Sequence, residues 1–204
     1  MTQITSVDEL VALLGEPQPA ARDKTRRSLH ELDRVWLASS PLVLIGTSDA
    51  AGNHDVSPKG DPAGFTKVID DTTIAIPERP GNRRADGFHN ILQNPRVGLL
   101  FLIPGRGDTL RISGTARLLT DAPYFDDMIV RDHRPILALE VAIDEVFYHC
   151  SKAFLRSKTW EPDTWTPEAA PRRALIAQSI ERPDEQLAAL EEYYGPSYAE
   201  KIYG

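Results

Sequence analysis

"IPERPGNRRADGFHNILQNPRVGLLF", residues 76–101, is the stretch whose reading decides the fold. It opens on the apolar end of a strand and enters "RPGNRR", a turn holding three arginines, a proline, a glycine and an asparagine. The turn runs into "RADGFHNILQ", where Phe88, Ile91 and Leu92 fall at helical spacing. Asn94-Pro95 ends that helix, because the residue before a proline is pushed out of the helical region. "RVGLLFLIP" then reads as another strand. Strand, basic turn, one inserted helix and strand do not make the alternating pattern of a doubly wound sheet.

Working upstream, "FTKVID", "DT" and "TIAIP" read as a hairpin, and "LVLIGTSD" as a buried strand. Between them "DVSPKGDPAGF" is extended but broken by Pro and Gly. Working downstream, "TLRISGTARLL" and "ILALEVAIDEVFYHC" read as long strands, with a short helix in "DAPYFDDMIVRD". Six or seven strands joined mostly by short turns predict a mainly β protein, an antiparallel barrel of Greek-key type with N- and C-terminal helices. The expected division of one domain, 1–204, is a helical preface (1–40), a barrel (41–150) and a helical tail (151–204).

The preface begins with a capping box, Ser6 to Glu9, opening a helix that stops near Gly15. A longer helix is expected through "ARDKTRRSLHELDRVWLASS", packed on the barrel by Leu29, Leu32 and Trp36. Three weaker helices are expected in "SKAFLRSKTW", "PEAAPRRALIAQ" and "PDEQLAALEEYYG".

Composition narrows the function. Hydrophobic residues make up 41% and charged residues 26% of 204, ordinary values for a globular chain. The formal charge of −7 argues against nucleic acid as a partner, since a duplex binder needs a broad basic footprint. No apolar run spans a bilayer, and the start carries early acids rather than a basic leader, so a cytoplasmic protein is expected. Cys150 is the single cysteine and reads as a buried structural residue; no intrachain disulfide can form. The histidines, His30, His54, His89, His133 and His149, read as surface, turn or packing residues. No set of ligand types has zinc spacing, so no metal is expected. Neither the G-x-G-x-x-G nor the G-x-x-x-x-G-K-[ST] cradle is present.

A local cationic site is compatible with global acidity. Gly81 permits a tight turn, and Asn82, Arg83 and Arg84 stand where a helix begins. Arginine forks match phosphate oxygens, so the turn is either a phosphate site or a solvated basic turn paired with acids such as Glu78 and Asp86. On the broken strand, Ser57, Lys59 and Asp61 alternate and so share one face.

The order of these parts resembles the pyridoxamine 5′-phosphate oxidase superfamily of FMN-binding split-barrel proteins, in particular a subgroup of probable FMN-dependent enzymes of unestablished substrate. The resemblance rests on "VSPKGDPAGF…TIAIPERPGNRRADGFHNILQNPRVGLLFLIPGRGDTLRISGTARLL" and extends through "SKAFLRSKTW". It implies FMN as cofactor, with the phosphate held by Asn82, Arg83 and Arg84, flanked by Arg79 and Gly81. It implies that Ser57, Pro58, Lys59 and Gly60 run along the isoalloxazine ring and that Thr109 and Arg111 contribute to the pocket. It implies a homodimer with the site at the interface, to which Lys152, Arg156 and Trp160 are candidates. The implied activity is an oxidoreductase acting on a small substrate, with a reduced nicotinamide as one possible electron donor and no catalytic residue assigned. A non-catalytic flavin or haem carrier or sensor, or a deazaflavin-dependent reductase on the same barrel, are the alternatives. The acidic, tyrosine-rich "LAALEEYYGPSYAEKIYG" departs from the oxidase's substrate-binding segment, which puts the oxidase's own substrate in doubt.

Overall fold

In chain order, the computed structural model, which describes residues 1–203, contains α1 (Val7–Leu14), α2 (Pro19–Arg22), α3 (Glu31–Ser39), β1 (Leu42–Ser48), β2 (His54–Gly60), β3 (Lys67–Val68), β4 (Thr73–Glu78), α4 (Asp86–Gln93), β5 (Arg96–Leu102), β6 (Thr109–Leu119), β7 (Leu137–His149), α5 (Lys152–Ser157), α6 (Arg173–Ile176) and α7 (Leu187–Tyr193). Gly204, the last residue of the expected tail, lies outside the described residues.

The strands form one antiparallel sheet in the order β2-β1-β5-β6-β7-β4-β3. Alternation puts one side chain in two toward the interior. Val43 and Ile45 of β1 meet Leu99 and Phe101 of β5, Leu110 and Ile112 of β6, Val141 and Val146 of β7, and Ile74 and Ile76 of β4 in a single buried cluster. Fully burying each such side chain contributes about 1.5–3 kcal/mol. β6 and β7 cross closely at a bulge between Ser113 and Gly114. A Cβ on Gly114 would sit 2.2 Å from the Ala142 carbonyl oxygen, so the crossing requires glycine.

The barrel is split where β2 faces the end of β4. Pro58 stands on β2, an edge strand, and Pro77 on β4 beyond the point where β3 stops pairing at Ala75. Neither residue has an N–H to donate, so no continuous ladder can close the gap there. Side chains bridge it instead: Lys59 of β2 pairs with Glu78 of β4, and Asp61 just after β2 pairs with Arg79 just after β4.

The helical expectations need four corrections. The long helix expected over residues 21–40 is broken, with α2 and α3 separated by extended backbone in which Arg26 exchanges hydrogen bonds with Val146 at 3.0 and 2.8 Å. His30, expected as a surface or packing residue, caps α3: its Nδ1 accepts from the Leu32 N–H at 3.1 Å, while its own N–H donates to Asp33 at 2.7 Å. The buried face of α3 is Asp33, Trp36 and Leu37, at i, i+3 and i+4, and Leu32 in its first turn is exposed. The N-terminal part of the preface does not pack, because α1 and α2 bury no residue. α1 does have the expected cap, with the Ser6 hydroxyl accepting from the Glu9 N–H at 3.2 Å. The short helix expected in "DAPYFDDMIVRD" is one 3-10 turn, Asp126–Met128. Cys150 is exposed rather than buried, because it follows the last residue of β7.

Candidate functional site

The split opens into a cleft of about 650 Å³. Its walls are Ile45 and Thr47 of β1, the inner face of β2, residues 77–85 at and beyond the end of β4, and the first turn of α4. α4 is pinned across β1 by two amides: Asn90 donates to the Thr47 hydroxyl at 3.1 Å and Asn94 to the Ser48 hydroxyl at 2.9 Å. Its Gly87 lies so close that a Cβ there would come within 3.2 Å of the Asp55 carboxylate. A side chain at this position would require the Asp55 carboxylate to shift by a few tenths of an ångström.

The basic turn takes an unusual backbone path. Arg83 and Ala85 have φ of 61° and 56°, the left-handed region that L residues occupy at a cost of about 1–2 kcal/mol each. The Asn82 carboxamide oxygen accepts from the Arg84 N–H at 3.0 Å and supports the turn. Ala85 is the residue before α4, and no side chain caps that helix. The N–H groups of Ala85, Asp86 and Gly87 find no acceptor among the described residues. The residues that carry these donors, and so the positive end of the helix, line the cleft.

The cations around the cleft differ in what they already hold. Arg79 is almost buried: its Nε donates to Asp61 at 2.6 Å, and its other nitrogens donate to the carbonyls of His133 at 3.0 Å and Met128 at 2.7 Å. It ties the turn to the loop before β7. Arg84 donates to Asp86, and that bond strengthens its hold on its proton. Lys59 pairs with Glu78, its ammonium 4.9 Å from the centre of the Phe88 ring. Arg83 alone of these makes no ion pair or side-chain hydrogen bond among the described residues. The lining thus holds Lys59 and three arginines against Asp55, Glu78 and Asp86, with Ser57 donating to Asp55 at 2.5 Å.

The cleft brings together Ser57, Pro58, Lys59, Gly60, Arg79, Gly81, Asn82, Arg83 and Arg84. It does not include Thr109, Arg111, Lys152, Arg156 or Trp160. Thr109 and Arg111 stand on β6, which β5 and β1 separate from β2. Thr109 is buried, and Arg111 lies 5.2 Å from the Phe147 ring. Lys152 and Arg156 are exposed on α5, while Trp160 stacks on Phe154 at 5.9 Å and donates to the Arg106 carbonyl at 2.7 Å. Sequence reasoning missed Thr47, Asp55, Gly87 and Ile202. Asp55 carried a signal, since it alternates with Ser57 and Lys59; Ile202 carried none. Among the described residues no cluster of three or more His, Cys, Asp or Glu is arranged to hold a metal ion. No described helix is long and apolar enough to cross a membrane.

Comparison with known proteins places this geometry. HupZ from Group A Streptococcus is 20% identical and aligns over 59% of this chain and 93% of its own, with a TM-score of 0.48. A candidate pyridoxamine 5′-phosphate oxidase from Lactobacillus delbrueckii is 25% identical over 61% of this chain and 98% of its own, with a TM-score of 0.47. An FMN-binding protein from Syntrophomonas wolfei is 14% identical over 58% and 89%, with a TM-score of 0.43. No curated protein matches the chain. The family model for pyridoxamine 5′-phosphate oxidase matches residues 29–150, which run from the segment before α3 to the end of β7 and contain both walls of the cleft. The chain belongs to the pyridoxamine 5′-phosphate oxidase family.

Proposed function

We propose that the cleft binds FMN and that the protein is a flavin-dependent oxidoreductase acting on a small organic substrate. One observation carries this reading: Arg83, without a partner among the described residues, and residues 85–87, whose N–H groups find no acceptor there, line the same cleft as the inner face of β2. That combination suits a phosphate monoester, which accepts several hydrogen bonds and carries more than one negative charge. The volume lies within the range of small-molecule sites.

In this reading residues 82–84 and the start of α4 hold the phosphate, and residues 57–60 border the ring. Bound there, the flavin would supply the two-electron redox chemistry. The chain's own contribution is positional and electrostatic. Glu78 and Phe88 hold the Lys59 ammonium at the β2 wall, where it would favour negative charge on the adjacent ring edge. Arg79 is assigned to shaping the turn rather than to the ligand, since each of its three guanidinium nitrogens already donates to the protein and its side chain is almost buried. Arg111, Lys152, Arg156 and Trp160 are assigned to a second copy's cleft across a homodimer interface, while Thr109 is buried within its own chain and is not assigned to the ligand. A reduced nicotinamide is the proposed electron donor.

The test is the visible spectrum of the purified protein, followed by identification of the released cofactor and titration with FMN. A flavin spectrum bleached by a reduced nicotinamide or a substrate supports the proposal. A flavin that nothing reduces would make the protein a carrier. A deazaflavin or haem spectrum would replace the cofactor assignment.

A further inference from the structure

The chain returns to the cleft through a segment far from it in sequence. After β7 the tail builds a small unit of its own, in which Ala174, Ala177 and Leu190 are buried together. Its ion pairs, Arg172–Glu191, Arg173–Glu181 and Arg182–Glu185, stay within it. From there the 3-10 turn Pro196–Lys201 leads to Ile202, which lines the cleft, and to Tyr203, which is half-buried.

Tyr203 is held from two other parts of the chain. Its hydroxyl donates to one oxygen of Asp61, whose other oxygen accepts from Arg79. The Asp61 side chain is only 2% exposed, so this is a bond to a buried carboxylate. The Tyr203 ring stacks on His133, with centroids 5.7 Å apart and 22° between planes, and the Arg131 guanidinium lies 5.2 Å from its centre. The platform is a tight turn: Val130 and His133 exchange backbone hydrogen bonds, and Arg131 and Asp132 between them have φ of 49° and 64°. Arg79, which borders the cleft, also donates to the His133 carbonyl. The cleft wall and the seat of Tyr203 are therefore one connected structure.

We propose that Tyr203 is a latch and residues 196–203 a strap across the cleft, with Ile202 closing part of its mouth, so that ligand exchange requires Tyr203 to leave Asp61. The chemistry makes release feasible. One hydrogen bond and two ring contacts hold the tyrosine, and all the rest of Asp61's compensation comes from Arg79. When the hydroxyl leaves, the buried carboxylate keeps its counter-charge, so the open state carries no orphaned ion. The strap is anchored on its other side to a unit that holds itself together, so opening does not unravel the tail.

The inference rests on the proposed flavin site only for its probe. In the full chain, Tyr203→Phe keeps the ring and removes the hydroxyl, and Arg131→Ala weakens the platform from the other side. With FMN as probe, followed by stopped-flow flavin fluorescence, Tyr203→Phe is expected to raise both association and dissociation rates about 5- to 10-fold, with Kd changed less than about twofold, the signature of a gate. Arg131→Ala is expected to act in the same direction by a smaller factor. Rates unchanged, or dissociation alone faster, would overturn the gate, the latter because it describes an ordinary contact. A second arm needs no ligand. Exchange of the His133 amide, bonded to the Val130 carbonyl at 2.9 Å, should quicken at least about fivefold in Tyr203→Phe. Unchanged exchange would overturn the latch, whereas failure of the wild-type protein to bind FMN would overturn only the cofactor assignment.

Discussion

The different engagement of Arg83 and Arg84 gives a graded prediction. Both guanidiniums are exposed at the same turn, but Arg84 already donates to Asp86 while Arg83 has no partner among the described residues. A phosphate binding here takes Arg83 at no cost to an existing bond, and takes Arg84 in competition with a carboxylate. A charge-assisted contact is worth about 1.5–3 kcal/mol; for an arginine as exposed as Arg83 the lower end applies, so Arg83→Ala should weaken FMN binding about tenfold. Arg84→Ala should weaken it only about threefold, because breaking the Asp86 pair offsets part of the gain. Asp86→Asn should do the reverse. It frees Arg84 and removes a negative charge from the first turn of the helix, so FMN should bind about threefold tighter at low salt, with the gain shrinking as salt rises. Riboflavin, which lacks the phosphate, is the control. Fluorescence titration of both ligands against the three variants at two salt concentrations gives the full comparison. Equal losses for FMN and riboflavin, or a larger loss from Arg84→Ala than from Arg83→Ala, would refute the reasoning.

Three other perturbations follow from particular contacts. Burial of the Asp33 carboxylate raises its pKa, but the Arg26 hydrogen bonds and the His30 N–H outweigh that and hold it below the usual carboxylate value. A depressed folded-state pKa contributes stability that is full above the unfolded value near 4 and fades as pH falls through the folded one, so Asp33→Asn should cost about 3 kcal/mol at neutral pH and clearly less near pH 3. Denaturant melts at both pH values test this, and an equal gap at both would contradict it. Gly114→Ala should destabilise by about 3 kcal/mol because its Cβ meets the Ala142 carbonyl at 2.2 Å. Gly81→Ala, with open space around its Cβ, should change the melting transition by less than about 0.5 kcal/mol in the same assay. In FMN-loaded protein, Lys59→Met should lower the two-electron potential, and Glu78→Gln, which removes the counter-charge, should raise it, each by roughly 30 mV. Spectroelectrochemistry that found both variants at the wild-type potential would place Lys59 away from the ring.

The barrel was legible because its signals are local. Residues 76–101 announce strand, turn, helix and strand through apolar spacing and a single Asn-Pro stop, and β4, α4 and β5 form there. Prolines at 58 and 77 already mark broken edges. What could not be read was anything decided by a partner distant in sequence. The helix expected across residues 21–40 has acceptable propensity throughout, yet Arg26 is drawn into a bridge with Val146 and into an ion pair with Asp33. Two tertiary contacts override the local preference, and the apolar stripe then loses Leu32 and gains Leu37.

The same limit governs the site. Arg79, Arg83 and Arg84 look equivalent as letters in one basic turn. The structure divides them by what acidic residues reach. Asp61, arriving from the end of β2, locks Arg79 into the wall; Asp86, from the helix the turn itself begins, engages Arg84; among the described residues no carboxylate reaches Arg83. The paired reading fits Arg79 and Arg84, while Arg83, next to Arg84 in the same loop, has no counter-ion among the described residues and is left for the proposed phosphate. Charge type is a property of the sequence, but availability of charge depends on the fold. The proposed anion site in this acidic protein would then rest on one arginine without a counter-ion among the described residues, beside helix N–H groups that no side chain caps.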